Sequence, residues 1–292
     1  MSASAAHNGD SQIAPPGLRH FWLVADDYGI SPAVNAAIRD LLARRRLNAT
    51  SVMVVTPSFD EAQAQALSAV SQTAPGSAIG LHLTLTAPFR PLSKGFAPLR
   101  GDGAFPSLGG LMRAAFLRQI DGAKIAEEAA SQMIKFSAAF RRPPDFVDGH
   151  QHVHLLPGIR SAVIAAMKRA APRAWLRQCA GPAPAGSGLS LKARFIAWLS
   201  SGLAREAAAA GIATNPAFAG AYSYSPGVDF AALFPSFIVS LPAESVVMCH
   251  PGKVDEALRR VDPLTTLREQ EYAYFAGDEF PRVLAAHGLT LT

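Results

Sequence analysis

Carboxylate and imidazole side chains recur in this sequence at the ends of short apolar runs. Asp26 and Asp27 follow Phe21-Trp22-Leu23-Val24-Ala25 and precede Tyr28-Gly29. His82 lies in Gly80-Leu81-His82-Leu83. Asp148 opens the run Asp148-Gly149-His150-Gln151-His152-Val153-His154, and His250 stands in Met248-Cys249-His250-Pro251-Gly252. Carboxylate oxygen and imidazole nitrogen hold a catalytic divalent cation while leaving a coordination position open. Parallel α/β folds assemble active sites from the ends of different strands. The pattern predicts a metal-dependent hydrolase.

Taken singly, each motif has a plainer reading. Adjacent residues on an extended strand face opposite ways, so one of Asp26 and Asp27 can bind metal while the other holds water or a proton. Acids before glycine also serve turns. His82, between two leucines, faces away from them and can be a satisfied core histidine. His150, His152 and His154 alternate, and on extended backbone they share one face. Each needs a polar partner if buried, which points to metal or catalytic use, with one or two of them orienting ligands. His250 ends a late strand and can exchange a proton near neutral pH, or it is a turn residue. Cys249 precedes it, but neighbouring strand side chains diverge, so Cys249 reads as a small buried hydrophobe.

The elements that must position these residues alternate between strand and helix. Buried strands are predicted at Phe21–Ala25, Ser51–Val55, Ala78–Leu85 and Glu244–Cys249. Ser31-Pro32 starts a helix, with serine as N-cap and proline at the first position. Further helices are predicted over 123–140, 157–171, 190–211, 229–241, 265–275 and 279–287. The irregular stretch 86–108 is long enough to be functional or mobile. Repeated βα units without Greek-key spacing call for a mostly parallel sheet or barrel. No GxGxxG follows the first strand and no GxxxxGK[ST] occurs, which removes the dinucleotide and P-loop readings.

The chain has 292 residues and is 49% hydrophobic, enough to bury a large core. Neither repeat nor domain boundary is visible, so one domain over 18–292 is expected behind a polar lead, 1–17, that lacks signal-peptide features. Lys and Arg number 27 against 22 Asp and Glu, and the cations are scattered, which argues against a nucleic-acid partner. Two distant cysteines suit a reducing, cytoplasmic setting. No apolar run spans a bilayer. The helix around Phe195–Leu199, with basic flanks, suits peripheral membrane contact or a buried amphipathic helix. Tyr222, Tyr224, Phe218, Trp198 and Trp175 are candidate platforms for sugar rings, or packing residues.

Together the four motifs resemble the YdjC-type carbohydrate deacetylases, the family that includes the hopanoid-biosynthesis-associated HpnK proteins. Their order and spacing match over nearly all of 19–292. The resemblance implies a distorted (β/α) barrel with mostly parallel strands. It implies one divalent ion, Mg2+ or Zn2+, on Asp27, His82 and His150. It implies Asp26 as general base and His250 as a second proton-transfer or oxyanion-assisting group. His152, His154, Arg177 and Tyr28 would support the site or touch substrate. The substrate class implied is an N-acetylated amino sugar, as oligosaccharide or glycolipid, and a homodimer is open. The competing readings are a metal-dependent phosphoesterase or amidohydrolase on a similar barrel, and a sugar- or metal-binding protein without turnover.

Overall fold

Apolar strands and amphipathic helices alternate along the chain, and each parallel strand needs a crossover to reach the next. The structure, a computed structural model, describes residues 18–182, 191–225 and 227–291. It begins with β1 (Arg19–His20), β2 (Trp22–Tyr28), α1 (Pro32–Ala43), β3 (Ala49–Val52), α2 (Glu61–Thr73) and β4 (Ala78–Leu83). Then come α3 (Leu108–Phe116), α4 (Gly122–Phe140), β5 (Phe146–Gly149), a 3-10 segment (His150–Leu155), α5 (Ile159–Ala170) and β6 (Trp175–Leu176). The rest is α6 (Leu191–Ala210), β7 (Phe218–Ala219), α7 (Phe230–Ile238), β8 (Val246–Cys249), α8 (Glu256–Val261), α9 (Thr266–Ala276), α10 (Glu279–Ala286) and β9 (Leu289–Thr290).

Seven strands form one parallel sheet in the order β6-β5-β4-β3-β2-β8-β7. The sheet curls until its edges approach: Leu176 bridges to Thr214, and the Phe218 N–H donates to the Ala180 carbonyl at 2.9 Å. This is the expected distorted, mostly parallel barrel. A separate parallel pair, β1 with β9, ties the two ends of the described chain. Parallel strands place every carboxyl end on one side, so the residues after β2, β4, β5, β6 and β8 converge there.

Local signals act as their chemistry dictates. The Ser31 side chain accepts from the Val34 N–H, Pro32 opens α1, and Val34, Ile38, Leu41 and Leu42 are its buried stripe. The stretch 84–107 carries no helix or strand, yet it is anchored. The fully buried Glu128 carboxylate of α4 accepts from the Leu92 and Ser93 N–H groups. Phe89, Phe96 and Phe105 pack into the core. The short elements α3, α8 and β7 were not among the sequence expectations. The lead at 1–17 and most of the Gly/Pro/Ser stretch 181–188 lie outside the described residues.

Candidate active site

At the end of β2 the strand geometry breaks. Asp27 has φ 69° and the pairing with β3 is irregular between Ala25 and Tyr28. That twist brings both carboxylates to the barrel mouth, where the sequence had them facing opposite ways. Gly29, at φ +104°, completes the turn: a Cβ there would stand 2.7 Å from the Met53 carbonyl.

Asp27, His82 and His150 meet at the mouth. Asp27 Oδ1 lies 3.2 Å from His82 Nε2 and 3.0 Å from His150 Nδ1. One ligand atom from each residue fits within 4.8 Å of the others. His82 Nδ1 is turned to Asp148 Oδ1 at 2.6 Å, its register partner on β5, and to Ser51 Oγ at 3.0 Å. A carboxylate behind one ring nitrogen presents the other to a cation, as in metalloenzyme carboxylate–histidine pairs.

Arg177, just beyond β6 and fully buried, grips Asp26 through both Nη atoms at 2.7 and 2.8 Å and reaches Asp148 Oδ2 at 2.6 Å. Arg268 of α9, also fully buried, holds Asp27 Oδ2 and Asp262 Oδ2, each at 2.6 Å. Four aspartates thus face two arginines, an excess of negative charge that His82 partly offsets while it carries its proton. The donor set and this imbalance fit a divalent ion.

Electrostatics follow from burial. Burial opposes ionisation of Asp27, but Arg268 and His150 outweigh it and hold the carboxyl well below its ordinary range. Burial also opposes a charged His82, yet Asp148 and Asp26 lift it to about 10. Asp148 is held near 2, because Arg177 and His82 outweigh its desolvation. His250 moves the other way: desolvation brings it to about 4, against the pull of Asp27 and Asp26. It is therefore a neutral imidazole at neutral pH.

A cavity of about 390 Å³ opens over these groups, within the size range of small-molecule sites. Asp26, Asp27, His82, His150, His152 and His250 all line it, as do Tyr222 and Tyr224. The histidine run is not extended. Gln151 and His152 sit in the left-handed region, so the three rings separate. His150 meets Asp27, and His152 stands 3.7 Å from Cys179 Sγ and edge-on to Phe218. His154 is fully buried with Nε2 2.9 Å from the Arg177 carbonyl, away from the cavity. Tyr28 lies behind the mouth: its ring is fully buried, its hydroxyl donates to the Gln63 carbonyl at 2.8 Å and accepts from Arg39, and it does not line the cavity. Burial pushes the Cys179 and Cys249 thiols up, which suits packing.

Of the aromatic candidates, only Tyr222 and Tyr224 reach the cavity. Trp175 stacks on Phe146, and Trp198 is exposed on α6. Sequence reasoning missed Asp262, Arg268 and Glu271. The stretch Arg268-Glu269-Gln270-Glu271 reads as a solvated helix face, and only the partners across the mouth reveal that two of its members are buried.

A chitooligosaccharide deacetylase of Yersinia pestis (strain Pestoides F) is 31% identical over 141 residues, 48% of this chain and 53% of that protein. One from Yersinia pseudotuberculosis (serotype O:1b, strain IP 31758) matches equally. The matched stretch thus spans about half the length of these relatives. Among solved structures, a protein proposed to cleave cellobiose phosphate, from Enterococcus faecalis V583, superposes with TM-score 0.68 at 21% identity, covering 94% of this chain and 97% of that one. A lactam utilization protein from Thermus thermophilus gives 0.51 at 14% identity, covering 94% and 98%. These two likenesses speak to the fold. The family model for YdjC-like proteins matches residues 20–286, nearly the whole chain, and the protein belongs to that family.

Proposed function

We propose that this chain is a metal-dependent hydrolase that removes the acetyl group from an N-acetylated amino sugar. One observation supports it above the rest: Asp27, His82 and His150 converge beside an arginine-held Asp26 at the floor of a sugar-sized cavity. The name of the Yersinia relatives points to the same substrate class. Two imidazoles and one carboxylate suit zinc better than magnesium. A bound divalent ion would lower the pKa of water toward about 7 and polarise the acetyl carbonyl.

The chain's own groups do the rest. Asp26, oriented by the planar Arg177 fork, takes the proton of the attacking water and returns it to the leaving amine. The Tyr224 hydroxyl lies 3.3 Å from His250 Nδ1, and in the tautomer this mechanism uses, the hydroxyl donates there and the ring N–H sits on Nε2. Neutral His250 then offers that N–H to the developing oxyanion. Tyr222 and Tyr224 wall the cavity for the sugar ring. The phosphoesterase and non-catalytic readings have no observation in their favour. A glycolipid as the N-acetyl substrate has one: Phe116, Phe195 and Trp198 cluster with ring centroids 6.0–6.3 Å apart while 42%, 37% and 60% exposed. Two free, buried cysteines suit a reducing compartment. Among the described residues no helix is long and apolar enough to cross a membrane.

The test is acetate release from N-acetylated oligosaccharides and from N-acetyl glycolipids in vesicles, with and without chelator. Chelation abolishes release and zinc restores it. Asp26→Asn lowers kcat about 100- to 10,000-fold with metal retained, and His150→Ala lowers metal occupancy. Chelator-insensitive release, or full metal content in His150→Ala, refutes the assignment.

A further inference from the structure

Helix α9 sends two fully buried charged side chains to the barrel mouth, Arg268 and, three residues on, Glu271. Residues at that spacing share a helix face. Arg268 reaches the metal side of the mouth through Asp27. Glu271 reaches the opposite side. Its Oε1 accepts from the Tyr222 hydroxyl at 2.6 Å, and its Oε2 accepts from the backbone N–H of His250 at 2.5 Å.

Three parts of the fold therefore meet at one carboxylate: the segment after β7, the end of β8, and α9. The chain of contacts then closes on itself. The Tyr222 ring stands edge-on to Tyr224 at 4.7 Å, and the Tyr224 hydroxyl lies 3.3 Å from His250 Nδ1. Tyr222, Tyr224 and His250 line the cavity, whereas Glu271 does not. An ionisable group taken wholly out of water is expensive unless its hydrogen bonds are met, and here each oxygen has a strong donor.

We infer that Glu271 is a positioning residue: it clasps the Tyr222–Tyr224 wall to His250 and so fixes the spacing between the sugar-facing wall and the oxyanion-facing imidazole. The inference deepens the deacetylase reading and rests on it. What the clasp requires is an acceptor for the His250 N–H and a partner for the Tyr222 hydroxyl. Glutamine supplies both, since its amide oxygen accepts and a hydroxyl oxygen can accept from its NH2 group. Alanine supplies neither and strands a buried N–H.

The experiment compares wild type, Glu271→Gln, Glu271→Ala and Tyr222→Phe in the zinc-loaded protein. The readouts are acetate release from an N-acetylated chitooligosaccharide, zinc affinity by calorimetry, and the amide proton shift of His250 by NMR. Displacing a catalytic group by about 1 Å can slow turnover 100-fold. Glu271→Ala is expected to lose about 10- to 100-fold in kcat, with zinc affinity within threefold of wild type. Glu271→Gln recovers to within about tenfold of wild type. Tyr222→Phe, which deletes one hydroxyl from the clasp, raises KM more than it lowers kcat. The His250 amide proton resonates far downfield in wild type and Glu271→Gln, and moves upfield in Glu271→Ala. Wild-type kcat in Glu271→Ala overturns the inference, as does loss of zinc there or equal damage in Glu271→Gln and Glu271→Ala. If Glu271→Ala fails to fold, Tyr222→Phe and Glu271→Gln decide. If wild type releases no acetate, the deacetylase reading fails, and the amide shift still judges the clasp.

Discussion

At the residue scale, the acids and imidazoles at four separate motifs stand out by type, and Asp26, Asp27, His82, His150 and His250 line one cavity. Their orientations were not legible. Asp27 at φ 69° and His152 at φ 58° occupy conformations that no local sequence demands, so alternation-based reasoning placed Asp26 and Asp27 apart and the three histidines together. Tyr28, which the family resemblance placed as supporting the site or touching substrate, is packed into the core behind the mouth. Buried charges such as Arg268 and Glu271 stay hidden for a related reason: a charge on a helix reads as solvent-facing until its partners are known. Glu271 carries a pH consequence. Desolvation lifts its pKa to about 7, from an ordinary value of 4.5, against the pull of its Tyr222 and His250 hydrogen bonds and of Arg268. The folded chain thus binds this proton more tightly than the unfolded one. Its contribution to stability is complete below pH 4.5 and is lost as pH rises through 7. Glu271→Gln should match wild type in stability at pH 4 and exceed it at pH 8 by on the order of 3 kcal/mol. Thermal melts across that range check it, and a constant gap at all pH values contradicts it.

At the element scale, strands and helices were readable from periodicity, whereas the short pieces around the mouth were not. β7 and α8 have two and six residues, too few to carry a periodic signal. Parallel topology was inferred from alternation of element types, and strand order follows only from tertiary pairing. The segment between β7 and α7 shows how a single backbone position fixes an aromatic wall. Gly220 sits at φ +95°, and a Cβ on it would run into the Met248 carbonyl of β8. Gly220→Ala forces strand and segment apart, two residues before Tyr222. The expected cost is roughly 2–4 kcal/mol of stability, with a rise in KM larger than the fall in kcat. Denaturant melts and steady-state kinetics measure both, and an unchanged KM would count against the wall's placement by this turn.

At the scale of the whole molecule, the barrel is an open curl closed by side chains and ends. Asn48 donates to the Phe21 and Leu291 carbonyls at 2.9 and 3.0 Å and accepts from the Leu23 N–H at 2.8 Å, tying β2 to the chain beyond β9. Nothing in the sequence marks that asparagine, because three of its partners are backbone groups and the fourth, the His20 ring at 3.2 Å, is far off in the chain. The mouth is a different matter, since four aspartates and two arginines are packed there with most of their surface out of water. A cation that binds only the folded chain adds about 2.7 kcal/mol at a hundred times its dissociation constant. Zinc titration should therefore raise the melting temperature by roughly 5–10 °C, and Asp27→Asn should blunt that rise. A flat melting curve would mean that the excess negative charge is met in some other way. If zinc does raise the melting temperature, the consequence reaches beyond the mouth. Inside a growing cell, newly made copies would then mature or be degraded according to the trace-element supply, so the harvest of intact protein would rise and fall with the culture broth.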